Sequence, residues 1–173
     1  MQKKKDKDFD EFVGNLLFAY KQFCFSTRFS EKIKNRNSLP LFWFTISLSL
    51  RRGYLSELSK LFEKQNGKFD DVLSIYYLLD YEFSDNLETI EKLKKLRNKF
   101  LMHHDIKTSR ELDEFMKELD LSPKEIQNLF IKTFEVVERL RIQYNISGST
   151  HILFQDVENQ VEKEIDQILE KLK

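Results

Sequence analysis

Residues 90–105, IEKLKKLRNKFLMHHD, carry the pattern that decides the fold. At about 100° per residue, with Leu93 at the origin, Leu96 falls at about 300°, Phe100 at about 340°, Ile90 at about 60° and Leu101 at about 80°. Those side chains make one apolar stripe, while Glu91, Lys94, Lys95 and Asn98 lie away from its centre, so the segment reads as an amphipathic helix. Arg97 at about 40° and His104 at about 20° fall inside the stripe, with His103 at about 280° on its edge. A guanidinium cannot deprotonate its way out of burial, and an unpaired buried charge is costly. An arginine on this face therefore requires an acidic partner, a subunit interface, or a solvated cleft that receives an anion.

The rest of the chain follows the same helical period. Of 173 residues, 40% are hydrophobic and 34% charged, with 16 Phe but only four Gly and two Pro. Few breakers among many Lys, Glu and Leu favour long helices. A first helix is predicted over residues 9–29, with Phe12, Leu16 and Phe23 near one face, followed by a polar loop, FSEKIKNRNS. Pro40 suits the first turn of a second helix, reaching about Lys64 and carrying Trp43, Ile46, Leu50, Leu58 and Leu61. Gly53 inside it is a mild cost or a site of close packing. KQNGK breaks the helix, and DDVLSIYYLLDY reads as a short apolar one. Ser84 or Asp85 is placed to cap the 90–105 helix, with Glu88 in its first turn. SRELDEFMKELD is another helix, and SPKE at 122–125 combines a cap, a first-turn proline and a capping-box glutamate. That helix continues to about Tyr144, NISGST is a loop, and the last segment is amphipathic through Val157, Val161, Ile165, Ile168 and Leu172. No stretch alternates with period two. The expectation is an all-α, single-domain bundle of about six or seven helices over residues 8–173, behind a disordered charged tail at 1–7.

Several function classes fall away. Equal numbers of basic and acidic residues, 29 each, give no whole-molecule field of the kind that coats nucleic acid, though a local basic site remains compatible. Cys24 is alone, which excludes an internal disulfide and a cysteine metal cluster, and its aromatic helical setting reads as packing. The most apolar run, LPLFWFTISLSL at 39–50, has 12 residues, short of the roughly 20 a membrane span needs. It reads as a deeply buried central helix. The N-terminus lacks a secretory pattern, so a cytoplasmic protein is expected. No Gly-rich phosphate loop, nucleophile elbow or dinucleotide fingerprint occurs. Adjacent residues diverge by about 100° on a helix, so His103-His104-Asp105 is a poor ligand set. No metal and no cofactor are expected.

LRNKFLMHHD resembles the R-x(4–6)-H motif of the HEPN superfamily, in which a polar residue, often Asn, follows the arginine. Arg97-Asn98 is followed by His103 after five residues or His104 after six. LPLFWFTISLSL, DDVLSIYYLL, LSPKEI and YNISGST are also similar to the AbiU-type branch, linked to bacterial abortive infection of phage, so the resemblance covers most of the chain from about residue 12. Met102 departs from the small alanine common there. The doubled histidine leaves two candidates, of which the spacing and Asp105 favour His103. The resemblance implies a helical homodimer with two such motifs near a shared cleft and, for active members, metal-independent RNA cleavage leaving a 2′,3′-cyclic phosphate. These residue types suit that work. Histidine titrates near neutrality and serves as acid or base. Arginine grips two phosphate oxygens, and Asn98 is placed to orient the histidine or the phosphate. Arg51, Arg52, Lys94 and Lys99, with Lys92 and Lys95, are candidate residues for an RNA path, and Trp43, Tyr76 and Tyr77 for base stacking, although a solvated face and core packing account for them more simply. The competing expectation is a non-catalytic HEPN-like dimer that binds RNA, a nucleotide or a partner protein such as an antitoxin.

Overall fold

The computed structural model describes residues 2–33, 40–63, 74–76, 86–98, 109–146 and 150–171. Among them there is no strand, and the described elements are six helices: α1 (Gln2–Ile33), α2 (Pro40–Leu61), α3 (Leu87–Leu96), α4 (Ser109–Glu118), α5 (Pro123–Gln143) and α6 (Thr150–Lys171). The all-α bundle expected from the helical periodicity is what forms.

α1 is the spine. It packs along α2 and α6, α6 also meets α5, and α3 touches α2 and α5. Phe12, Leu16, Tyr20, Phe23, Ser26 and Phe29 recur at three- and four-residue spacing and are all buried, so one face of α1 meets the core along its length. The abundance of phenylalanine has a specific use. Tyr20 stacks on Phe154 of α6 at 4.1 Å and meets Phe130 of α5 edge-on at 5.2 Å. Phe134 packs on Phe154 at 4.7 Å, and Phe23 reaches both Phe130 at 5.4 Å and Tyr54 of α2 at 5.3 Å. One aromatic cluster thereby joins four helices, in the offset and edge-on geometries that ring quadrupoles favour.

Three described helix ends are set without glycine. At α5, Ser122 Oγ accepts from the Glu125 N–H at 3.2 Å and Glu125 accepts from the Ser122 N–H at 2.7 Å, with Pro123 in the first turn, as predicted. α4 ends with Asp120 at φ 50°, its N–H donating to Lys117 O and that of Leu121 to Met116 O. α5 ends the same way, with Asn145 at φ 54° and Ile146 N–H donating to Arg141 O. Both are Schellman closures in which Asp and Asn take the left-handed position glycine usually fills.

Four expectations change. α1 begins at Gln2 rather than Phe9, so residues 2–7, read as a disordered tail, are helical in backbone; no breaker lies between them and the apolar stripe. The α3 cap is Asn86, with no side-chain capping bond, rather than Ser84 or Asp85, which lie outside the described residues. The 39–50 run is not deeply buried. Trp43 turns onto Phe29 of α1, at 5.3 Å, while Leu41, Phe42 and Phe44 are 76%, 46% and 40% exposed, because α1 contacts one side of this end of α2. In α6 the core stripe runs through Val161, Ile165 and Leu169, and Ile168, one residue and about 100° away, is exposed. Leu172, Tyr77 and most of the predicted DDVLSIYYLLDY helix lie outside the described residues.

Candidate functional site

α3 places Arg97 where the wheel put it. Ile90, Leu93 and Leu96 are fully buried against the core, and Arg97 follows them in a π-helical turn at residues 97–98, a wider turn common at functional positions. Its side chain is 16% exposed. Nη1 pairs with Glu63 Oε2 at 2.8 Å, just beyond the end of α2. Nε and Nη2 share Asn98 Oδ1 at 3.3 and 3.2 Å. Arg97 thus has an acidic partner, but an open one, since the Glu63 side chain is 36% exposed. The guanidinium sits at the rim of the core, one edge on a carboxylate and the other on a neutral amide oxygen of an exposed residue.

Only half of the sequence motif can be placed. Arg97 and Asn98 are together; His103, His104 and Lys99 lie outside the described residues. Glu63 was not legible as a site residue. It lies just past the end of α2, some thirty residues upstream, and only the α2–α3 packing brings it to Arg97.

Three of the other candidate cations, Arg51, Lys92 and Lys94, pair with carboxylates. Arg51 Nη2 pairs with Asp113 Oδ1 of α4 at 2.5 Å and lies 3.4 Å from Met116 Sδ. It borders a cavity of about 440 Å³ with Asp113, Met116, Lys117, Leu121 and Pro123. Lys94 pairs with Glu91 at 2.9 Å, one turn back. Arg52 Nε and Nη2 are buried and meet no acceptor among the described residues. Lys92 pins α3 to the α4–α5 turn. Its ammonium donates to Asp120 O at 2.8 Å and pairs with Glu88 at 3.0 Å and Glu125 at 3.3 Å. The Glu88 hydrogen bond, with Glu125 adding to it, raises the Lys92 pKa above the usual lysine value. Burial alone would raise the Glu125 carboxyl, but the hydrogen bonds from Ser122 and Lys92 outweigh it and hold the pKa below the ordinary value. Trp43 is buried and Tyr76 packs against the core, so both serve packing.

Cys24 is buried next to Tyr20, and burial pushes its thiol up to about 11. Burial, then the hydrogen bond to Glu158, lifts the Tyr20 hydroxyl far above the tyrosine range. Neither group offers a nucleophile at neutral pH. Among the described residues no group of three His, Cys, Asp or Glu is placed to hold a metal ion, and no helix is long and apolar enough to cross a membrane. Comparison of the chain with models of protein families, with curated proteins and with solved structures returns no match.

Proposed function

We propose that this chain is a HEPN-like, metal-independent endoribonuclease that works as a cytoplasmic homodimer, in the role of a toxin or phage-defence effector. The observation that supports the reading is the setting of Arg97. A permanent cation follows the buried stripe of α3, held by a carboxylate that is one-third exposed and by an amide oxygen at long hydrogen-bond distance. Both ligands are exchangeable. A phosphate arriving from solvent matches the guanidinium better than either, because it presents two charged oxygens side by side. In this reading Glu63 stands where substrate phosphate binds and swings out as it enters. A histidine, His103 with His104 as the second candidate, moves the protons. The RNA 2′-OH loses its proton to a base and attacks the neighbouring phosphorus. The P–O5′ bond breaks as the P–O2′ bond forms, and an acid protonates the leaving 5′ oxygen. The products are a 2′,3′-cyclic phosphate and a 5′-hydroxyl. Arg97 stabilises the charge developing on the phosphoryl oxygens.

A second reading has its own support. The 2.8 Å Arg97–Glu63 pair is also what a structural tie between α2 and α3 looks like, and it favours a non-catalytic helical dimer that binds RNA, a nucleotide or a protein partner such as an antitoxin. Incubation of the purified chain with RNA, with and without EDTA, separates the two. The nuclease reading expects cleavage that persists in the chelator, spares DNA, which lacks the 2′-OH, and is lost in Arg97→Ala and in His103→Ala or His104→Ala. Absence of cleavage by the wild-type chain in dimeric form decides for the second reading.

A further inference from the structure

Arg52 presents a different problem from Arg97. It follows Arg51 on α2, and adjacent helical residues point about 100° apart. Arg51 reaches α4 and finds Asp113. Arg52 lies instead in line with Leu48, Leu55 and Ser59, at spacings of four, three and seven, and all three are buried. It therefore occupies an inward row of the helix. Its Nε and Nη2 atoms are buried and donate to no acceptor among the described residues.

Those two atoms form one edge of the guanidinium, with parallel N–H bonds, and this edge grips two oxygens of one anion. Arg52 as a whole is half-buried, and a hydroxyl or carbonyl acceptor would satisfy the hydrogen bonds of its buried edge without compensating the charge there. What the edge lacks among the described residues is an oxyanion. We propose that Arg52 is the anchor of an internal binding site for a compact oxyanion of phosphate type, supplied as free phosphate or as the terminal phosphoryl group of a nucleotide. Both atoms are closed to solvent, so entry needs a local opening, smallest for a compact anion and largest for the internal phosphodiester of a long RNA. The site is separate from Arg97 and stands whether or not the chain cleaves RNA.

The test uses the full chain and thermal unfolding at fixed ionic strength, so that bulk screening is constant. Inorganic phosphate, AMP and adenosine are titrated in turn. A ligand that binds only the folded state raises the unfolding temperature in a saturable way. Wild type is expected to respond to phosphate or AMP and not to adenosine; a response to phosphate identifies the free anion as sufficient, and a response to AMP alone identifies a nucleotide. Arg52→Met, which keeps the volume and removes the charge, should lose the response and be at least as stable as wild type in phosphate-free buffer. Arg52→Lys keeps the charge without the two-pronged edge and should bind at least about tenfold more weakly. Arg110→Met, which removes an exposed arginine paired with Glu114, should respond as wild type does. The proposal is overturned by a wild type without a saturable response, or by an equal response in Arg52→Met. It is also overturned if Arg52→Met fails to fold or is much less stable without phosphate, since that outcome shows that a carboxylate of the chain itself already pairs with Arg52.

Discussion

Replacement of Arg97 by methionine distinguishes an exchangeable anion receptor from a structural tie, because the two carry different stability costs. Methionine keeps most of the apolar stem packed and removes the guanidinium. At 2.8 Å the gross attraction between Arg97 and Glu63 is about 1.5 kcal/mol at the dielectric of water and about 6 kcal/mol at an effective dielectric near 20. The Glu63 side chain is 36% exposed, so on losing its partner it rehydrates rather than remaining a buried charge. The pair then belongs with screened ion pairs worth up to about 1 kcal/mol, not with sealed ones whose disruption costs about 3–5 kcal/mol. The expected loss for Arg97→Met is about 1 kcal/mol, read from urea unfolding followed by helical circular dichroism. In a chain of 173 residues that corresponds to roughly 2–4 °C in Tm. RNA cleavage should fall much further, by about 10²–10³-fold, as when a transition-state charge loses its donor. A stability loss of 3 kcal/mol or more would refute the reasoning, since Arg97 would then be a closed structural pair.

The remaining predictions rest on groups away from α3. A methyl group at Gly14 meets open space on the exposed side of α1, so Gly14→Ala should stabilise by about 0.5–1 kcal/mol through helix propensity. At Gly53 the same methyl would lie 2.0 Å from Gln22 Oε1. Gln22 has to move its flexible end, so Gly53→Ala should be nearly neutral in the same unfolding assay, and a large loss would mean that Gln22 is fixed. With its thiol at about 11, Cys24 should resist alkylation at neutral pH and react fast once unfolded by urea; comparable rates in the two states would place it outside the core. Between α1 and α6, Glu162 accepts from Arg28 at 2.9 Å and also pairs with Lys32, which reaches Asp166 at 2.5 Å. The hydrogen bond from Lys32 lowers the Glu162 pKa below 4.5, and those to Asp166 and Glu162 raise the Lys32 pKa above 10.5. Glu162 therefore contributes stability above pH 4.5 that disappears as pH falls through its folded value, and Lys32 contributes below pH 10.5 and loses this as pH rises through its own. In a pH series of unfolding midpoints the contribution of this pair should be constant between these limits and be lost outside them, so the acid fall should be reduced in Glu162→Gln; an unchanged acid limb in that variant would remove Glu162 from the ladder.

How far the sequence could be read differs by the range of the interaction. The capping box at Ser122 and Glu125 formed as predicted because both partners lie within one helical turn. The inward faces of α1 and α3 were legible for the same reason, since a 3.6-residue period needs no knowledge of the neighbour. Helix ends at Asp120 and Asn145 were harder. A glycine at the left-handed position announces a Schellman closure, whereas Asp and Asn occur anywhere, and only their φ of 50° and 54° identifies them. The exposure of Leu41, Phe42 and Phe44 was illegible for a further reason. Hydrophobicity tells that a surface gains by being covered, not that the chain has an element left to cover it.

The site was legible to the same limit. The wheel put Arg97 on the apolar side and posed the right question, but its answer, Glu63, depends on how α2 crosses α3. Arg51 repeats the lesson through Asp113 and Lys92 through Glu125, whereas Glu91 for Lys94 and Glu88 for Lys92 lie one turn away on α3 itself. A chain with 29 basic and 29 acidic residues can reach neutrality by spreading charge over its surface or by closing pairs between helices. Here Arg51 and Lys92 close pairs between elements, and Lys94 pairs within α3. That raises the weight of the exception. Where carboxylates are plentiful and cations near the core are matched to them, an arginine turned inward at Arg52 with two buried donors unmatched among the described residues is a departure from the chain's own pattern. Polar groups left open inside a protein are retained where something comes to fill them.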